Sequence, residues 1–410
     1  MSDLRPRLVA AFGVFALIAL AWLLSRDRRR FPVRAVGFGL LLQLALALLL
    51  LRTAPGRAFF VGVSDAVAGI VAYTDQGVRF VFGPLRETGF SFALGVLPVI
   101  VFMGSLFGML YHVGIVQRVV RLLARGLERT MGTSGAESLS TVAEVFLGMT
   151  EAPLLVRPYL ERMTESELFT VMTAGMATVA GSVLIAYAQM LGGDYAGHLV
   201  TASLLSAPAA VLVSKVMIPE RETPETLGRG SHLVPRTTVN LIDAAAEGGL
   251  AGLRLAAFIG GLLVAFVALV ALANDALGWL GSLVGAPGLT FQSILGVAFA
   301  PLAWLMGIPW AEAQTVGSLL GTKTVLNEFI AYRDLAALLE QGAISPRSAV
   351  VASYALCGFA NFGSIAILIG GVGGMAPSRR PDLARLGLRA ILSGTLATCM
   401  AACFANALLP

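Results

Sequence analysis

Two acidic residues stand where the surrounding sequence is otherwise apolar. Glu151 lies in EVFLGMTEAPLLVRPY (144–159), between Gly148 and Pro153, and both neighbours disfavour a continuous helix. Glu328 lies in GTKTVLNEFIAY (321–332), beside Lys323 and Asn327. A charge at bilayer depth costs about 2.5 to 3.5 kcal/mol, so such groups must face protein or a watery cavity. Together with Thr150, Thr178, Asn361, Ser364 and the ring of Phe359, they offer carboxylates, an amide and hydroxyls. Ionised carboxylates accept and cannot donate, which suits a neutral polyol with several hydroxyl donors. Phe359 adds a flat apolar face. A sugar bearing a heteroaromatic base has both features.

The elements that must position these residues are set by composition. Of 410 residues, 57% are hydrophobic and only 13% charged, and the mean hydropathy is +0.82. A soluble globular chain is roughly a quarter charged, so this is an all-α polytopic membrane protein. The net charge of +5 comes mainly from arginines between apolar runs, which argues orientation and not nucleic acid. Cys357, Cys399 and Cys403 lie in apolar segments, without disulfide or metal-site spacing. His112, His198 and His232 are scattered at span ends or in a loop and read as interface residues. GGVGGM near Gly370 is not a phosphate loop, since no Lys-Ser/Thr pair follows.

Eight spans are expected: 8–24, 35–51, 90–110, 167–190, 198–218, 248–272, 349–370 and 390–409. The first is a retained helix, not a signal peptide. Residues 57–82, with Asp65, Asp75 and Arg79, read as an interfacial helix, and 240–247 as an interfacial lead-in. Gly104/Gly108 and Gly248/Gly252 have the small-xxx-small spacing of close helix pairs. Arg118, Arg121, Arg125 and Arg129, opposite Val119, Leu122, Leu123 and Leu127, predict an amphipathic helix on the cytoplasmic face. Arginine-rich segments at 26–34, 118–129 and 379–389 agree on one topology, with both termini outside. SHLVPR (231–236) resembles part of a protease tag site. Two re-entrant hairpins complete the set, 134–159 entering from the cytoplasm and 311–339 from the other side. Lys323 is expected to cap or pair within the second hairpin. The chain divides into 1–110, 111–218, 219–298 and 299–410.

The sequence also repeats itself. GMATVAGSV (175–183) matches GFANFGSI (358–365) once an extra Ala180 is allowed. Each copy follows a hairpin carrying an acid, and the two run in opposite directions. Inverted repeats with interrupted helices are the architecture of secondary transporters, with sites near the midplane. Glycine and serine could merely permit tight packing, but packing alone does not explain the paired carboxylates.

The residues 148–187, GTKTVLNEFIAY and CGFANFGSIAI closely resemble the signature segments of the concentrative nucleoside transporter family, in the same order. The resemblance extends through 240–247 and most of the chain. It implies a bacterial inner-membrane homotrimer that works as an elevator and imports nucleosides with a cation gradient. By position, Thr150 and Glu151 would face the nucleobase with Gly148 and Met149 beside them in the substrate site, Val183 and Phe359 would pack on base or ribose, and Glu328, Asn361 and Ser364 would hold the ribose hydroxyls. The coupling-ion positions are Glu144, Leu147, Thr178 and Val179. No other cofactor is implied.

Two departures matter. The family's GQTEAP is here GMTEAP, and the Met149 thioether is only a weak acceptor where a glutamine would contact the base. Glu144 stands where a sodium-binding asparagine is expected, so it either binds Na+ as a hard oxygen ligand or takes up H+ itself. Two close carboxylates seldom both stay charged, which favours the proton. An interhelical hydrogen bond without a transport role is the bland alternative. From other classes, an intramembrane hydrolase could use two carboxylates, but no HExxH motif is present and LGGD has the wrong glycine spacing for an aspartyl membrane protease. A passive channel would ignore ion gradients.

Overall fold

The computed structural model describes residues 4–88, 92–228, 238–283, 285–286 and 288–409. It is helical, with no strand among the described residues. In chain order the helices are α1 Leu4–Leu23, α2 Val33–Arg52, α3 Ala54–Phe82, α4 Phe92–Gly95, α5 Leu97–Val113, α6 Ile115–Met131, α7 Gly135–Glu144, α8 Glu165–Ala177, α9 Gly181–Leu191, α10 Ala196–Met217, α11 Leu241–Leu283, α12 Phe291–Leu305, α13 Trp310–Val325, α14 Glu328–Glu340, α15 Pro346–Leu356, α16 Phe362–Met375 and α17 Arg380–Leu408. A 3₁₀ stretch, Pro153–Arg162, follows the Glu151 turn.

Eight segments among the described residues are long and apolar enough to cross a bilayer, but they are not the eight expected. The stretch read as interfacial forms the single helix α3, which qualifies as a span. Its charges are tolerated because Arg79 donates to Asp75 at 2.7 Å one turn away, which lets the two charges offset each other. The expected span 349–370 is instead two helices, α15 and α16, broken at 357–361. Likewise 240–247 is no separate lead-in, because Asn240 accepts from the Ile242 and Asp243 amides and starts a helix of 43 residues, about 64 Å at 1.5 Å per residue. SHLVPR and His232 lie outside the described residues.

Packing separates an enclosed block from an outer layer. In the span windows of α8–α9 and α10, 89% of residues are buried, against 11% in α3 and α11, so the outer helices offer apolar side chains to lipid or to another subunit. The amphipathic α6 turns a different stripe inward than expected. Val116, Val120, Ala124, Leu127 and Met131 are buried, while Val119, Leu122 and Leu123 are exposed. The buried stripe still lies opposite the arginine row, with Leu127 in it, while Val119, Leu122 and Leu123 lie along one side.

The arginine segments meet at one end of the molecule. Arg34 donates to the Arg129 and Thr130 carbonyls at 2.7 and 3.1 Å, Arg389 donates to the Leu24 carbonyl at 3.2 Å, and Arg26 and Arg385 both pair with Glu165. Segments far apart in sequence thus share one face.

The two small-xxx-small pairs face each other across α5 and α11. A Cβ at Gly248 would lie 2.2 Å from the Gly104 carbonyl oxygen, and one at Gly108 would lie 2.4 Å from the Ala244 carbonyl oxygen. Only glycine allows this approach. Gly248→Ala is expected to destabilise the protein by about 1 to 3 kcal/mol through overpacking. Gly261→Ala, on the same helix with nothing within 4 Å of the new Cβ, should stabilise it slightly through helix propensity. Thermal unfolding of the purified variants checks both directions.

Candidate functional site

Both repeat copies break where the sequence alignment falls, though not in identical fashion. The first break spans 178–180, with Thr178 closing α8, and the second spans 357–361, with Asn361 opening α16. Thr178 and Asn361 are equivalent in the alignment, yet one ends a half-helix and the other begins one. The two broken helices cross closely. A Cβ at Gly358 would lie 2.7 Å from the Met176 carbonyl oxygen.

Each hairpin brings its acid to this crossing. After α7 the chain turns through Gly148, whose φ of +127° is open to glycine and strained for other residues. A side chain there would also meet Ala180 Cβ and Glu151 Oε2, each at 3.1 Å. The Gly181 amide donates to the Phe146 carbonyl at 3.2 Å, fastening the turn to the first break. The Thr150 hydroxyl donates to Glu151 Oε2 at 2.7 Å. On the other side α13 ends at Val325, Asn327 caps α14 by accepting from the Ile330 amide at 3.0 Å, and Glu328 is the first residue of α14. Its carboxylate therefore sits at the positive end of a helix.

A cavity of about 830 Å³ lies between these pieces and the α5–α11 pair. Gly148, Met149, Thr150, Glu151, Val183, Glu328, Phe359, Asn361 and Ser364 all line it, so the nine residues named from the sequence as substrate-binding are brought together. Of the ion positions, Leu147 lines the cavity, whereas Glu144, Thr178 and Val179 lie behind it and are buried. Ser182, Asn327 and Phe329 also line the cavity without having been singled out. A weak signal existed for each: Ser182 belongs to the repeated GS pair, and Asn327 and Phe329 flank Glu328.

Hydrogen bonds fix what remains available around Glu328. Its Oε1 accepts from Tyr187 Oη at 2.9 Å and its Oε2 from Asn361 Nδ2 at 2.9 Å. Asn361 Oδ1 accepts from the Ser364 amide at 2.8 Å and the Ser364 hydroxyl at 3.0 Å, which fills an amide oxygen's two lone pairs. Left open are the remaining Glu328 carboxylate lone pairs, one Asn361 N–H and the Ser364 oxygen. The arrangement is acceptor-rich and meets a ligand that donates hydroxyl protons.

Behind the cavity Glu144 is buried among the last residues of α7. A Cβ on Gly175 would lie 3.5 Å from Glu144 Oε1 and 3.0 Å from Met149 Cβ, so Glu144 lies against the end of α8. Its Oε1 has no hydrogen-bond partner, and neither has the buried Thr141 Oγ1 one turn earlier. Two orphaned hard oxygens beside a helix break fit a small cation or a proton. Among the described residues no group of three His, Cys, Asp or Glu could hold a metal ion.

Lys323 is fully buried, but it does not cap its own hairpin. Its Nζ donates to the Ala355 carbonyl at 2.9 Å and to Thr398 Oγ1 at 3.3 Å. Ala355 lies in the last turn of α15, where the break removes the helical donor. His112 Nδ1 pairs with Thr238 Oγ1 at 2.7 Å and His198 Nδ1 with Tyr354 Oη at 3.2 Å, both in packing contacts.

Comparison with known proteins gives the family. The family models "Na+ dependent nucleoside transporter C-terminus" and "N-terminus" match residues 198–406 and 12–85, and "Nucleoside recognition" matches 93–194. The chain belongs to the concentrative nucleoside transporter family. It is 44% identical over 397 residues to the uncharacterized transporter YutK of Bacillus subtilis, covering 96% of this chain and 97% of that one. It is 42% identical over 418 residues to mouse solute carrier family 28 member 3, covering 98% of this chain and 59% of the longer mouse protein. CNTnw in an inward-facing substrate-bound state superposes with a TM-score of 0.92 at 43% identity, over 98% of this chain and 97% of that one. These relatives are transporters and not enzymes, which removes the hydrolase alternative.

The Asn361 bonds make a separable prediction. Asp is a good helix cap, so Asn361→Asp should keep α16 and the fold. It replaces the donor at Glu328 Oε2 with a second carboxylate. Uptake of labelled nucleoside by proteoliposomes should fall at least tenfold at neutral pH, and the unfolding temperature should fall with it and recover at acid pH, where one carboxyl is protonated.

Proposed function

We propose that this protein is a cation-coupled nucleoside symporter. The observation that carries the proposal is the shared cavity, where acids from two oppositely running repeats meet a small-residue break in each. Met149, Thr150 and Glu151 would face the base, Val183 and Phe359 would pack on base or ribose, and Glu328, Asn361 and Ser364 would take the ribose hydroxyls. The acceptor-rich remainder around Glu328 supports the ribose half. Met149 in place of a glutamine would relax selectivity among bases.

The moving block of an elevator would comprise both hairpins and both broken helices with α10 and α17, and α1 and α2 would travel with it, since they pack on α17 and α10. That grouping cuts across the division in sequence order. The scaffold would be built on α5 and α11, which form the opposite cavity wall. The cavity reaches Tyr111 and Thr238, near the end where α5 runs into arginine-rich α6. If the arginine face is cytoplasmic, the cavity opens inward and both termini lie outside. A homotrimer in the bacterial inner membrane fits the exposed apolar outer layer.

Coupling would occur at Glu144, with H+ as the ion. A buried carboxylate oxygen without a partner is costly while charged, and a proton removes that cost without a ligand shell. Sodium is the second reading, favoured by the family description and by the unpartnered Thr141 hydroxyl beside Glu144.

Purified protein in liposomes, given labelled uridine or adenosine, tests both readings. An inward proton gradient without sodium should drive accumulation, and Glu144→Gln should abolish the response to the gradient while leaving uridine exchange at equal concentrations. Full sodium dependence with no pH response would overturn proton coupling. Glu328→Ala removes hydrogen bonds to a charged group, each worth about 1.5 to 3 kcal/mol. Uridine affinity should therefore drop by about 100-fold or more, measured by calorimetric titration of the folded variant.

A further inference from the structure

Tyr187 stands outside the cavity lining but touches the acid at its centre. Its hydroxyl donates to Glu328 Oε1 at 2.9 Å, and it is fully buried. It lies on α9 four residues after Val183, hence on the same helix face, so one turn of α9 supplies a cavity wall and a tie to Glu328. The ring is held on two sides. It stacks on Tyr332 with centroids 4.3 Å apart and planes at 24°, and meets Phe329 edge-on at 4.8 Å. Both partners follow Glu328 on α14, so the phenol is fixed relative to that acid. The bond also joins the first repeat to the hairpin of the second.

We infer that Tyr187 is a positioning residue for recognition of the substrate's hydroxyls, acting through Glu328. This rests on the ribose assignment proposed above. A glutamate carboxylate, on three rotatable bonds, would present its oxygens in several orientations. Tyr187 on Oε1 and Asn361 on Oε2 hold both oxygens at once and fix the directions of their remaining lone pairs. Directions fixed on both oxygens match a pair of neighbouring hydroxyls better than a single one. Without the phenol, Oε1 loses the side-chain donor that Tyr187 gives it, and the carboxylate is freer to turn about Asn361. Discrimination by hydroxyl content then weakens, while contacts to the base are untouched.

The test compares uridine with 2′,3′-dideoxyuridine, which keeps the base and lacks both hydroxyls. KM values are measured in proteoliposomes for the wild type, Tyr187→Phe and Tyr332→Phe. Tyr332 lies in the same buried stack, but its hydroxyl donates to the Ser353 carbonyl at 2.8 Å and not to Glu328. Tyr332→Phe thus controls for loss of a buried hydroxyl bond. Tyr187→Phe is expected to raise the KM for uridine roughly tenfold, as for a charged hydrogen bond, leave that for the dideoxy analogue within about twofold, and so shrink the ratio. Tyr332→Phe should leave the ratio unchanged. A wild type that takes both substrates equally removes the ribose assignment and this inference with it. Discrimination kept in full by Tyr187→Phe, or KM values raised equally for both substrates, overturns the inference alone. Should Tyr187→Phe fail to fold, 3-fluorotyrosine in place of Tyr187 keeps the shape and makes the hydroxyl a stronger donor; an unchanged ratio would then overturn the inference.

Discussion

A helix broken inside a membrane leaves backbone groups without partners, and lipid supplies none. In this protein each break is closed by the hairpin of its own repeat. At the first, the Phe146 carbonyl beside the Gly148 turn accepts from the Gly181 amide, while Thr178 returns both its amide and its hydroxyl to the Ala174 carbonyl, at 3.1 and 2.8 Å. At the second, Lys323 from α13 donates to the Ala355 carbonyl, and Asn361 bonds Glu328 from α14. Hairpin and break are therefore one structural unit, and the acids reach the cavity because the hairpin tips must be there to satisfy the breaks.

The bases of the hairpins are tied by the same kind of chemistry. In the first repeat Ser134 caps α7 and bonds Glu167 in the first turn of α8. Lys215 joins this pair through Glu137 at 2.8 Å and Ser166 at 3.0 Å. In the second repeat Ser345 caps α15 and bonds Glu312 in the first turn of α13, through its amide at 3.1 Å and hydroxyl at 2.9 Å. Serine and acid exchange places between hairpin and broken helix, but the connection is the same. Carboxylates in first helical turns also complement the helix dipole, so these charges lie where they stabilise. Each hairpin is held at both ends.

Much of this could be read in the sequence because buried polar groups are rare in apolar stretches and each one needs a reason. Glu151, Glu328, Asn361 and the repeated glycine-serine pairs stood out on that ground, and the cavity unites them. Helix identity was less legible. Hydropathy sums over a window, so it ranks α3 low for charges that offset one another along one turn, and it reads α15–α16 as continuous because a break at 357–361 costs little hydrophobicity. The inward stripe of α6 was misread because Val119 and Leu122 lie beside the arginine row and not opposite it at about 3.6 residues per turn. Tyr187 gave no signal, since an aromatic residue in an apolar run is ordinary. Its role depends on Glu328, which lies 141 residues away in sequence. Lys323 was assigned to its own hairpin because proximity in sequence was the only available guide.

The repeats differ where their charges lie, and that difference bears on coupling. The second break is closed by an ammonium belonging to the chain, fixed on Ala355 and Thr398. Among the described residues the first break has no such group. It has Glu144 against the end of α8, with Oε1 unpartnered and Thr141 Oγ1 unpartnered nearby. One break thus has a lysine fixed on its freed carbonyl, while the other has an acid with an unpartnered oxygen. Since the Gly148 turn that presents Met149, Thr150 and Glu151 to the cavity begins only a few residues beyond Glu144, an ion arriving there would act on the segment that faces the base. In the coupling proposed here, the ion would complete the first repeat as Lys323 already completes the second.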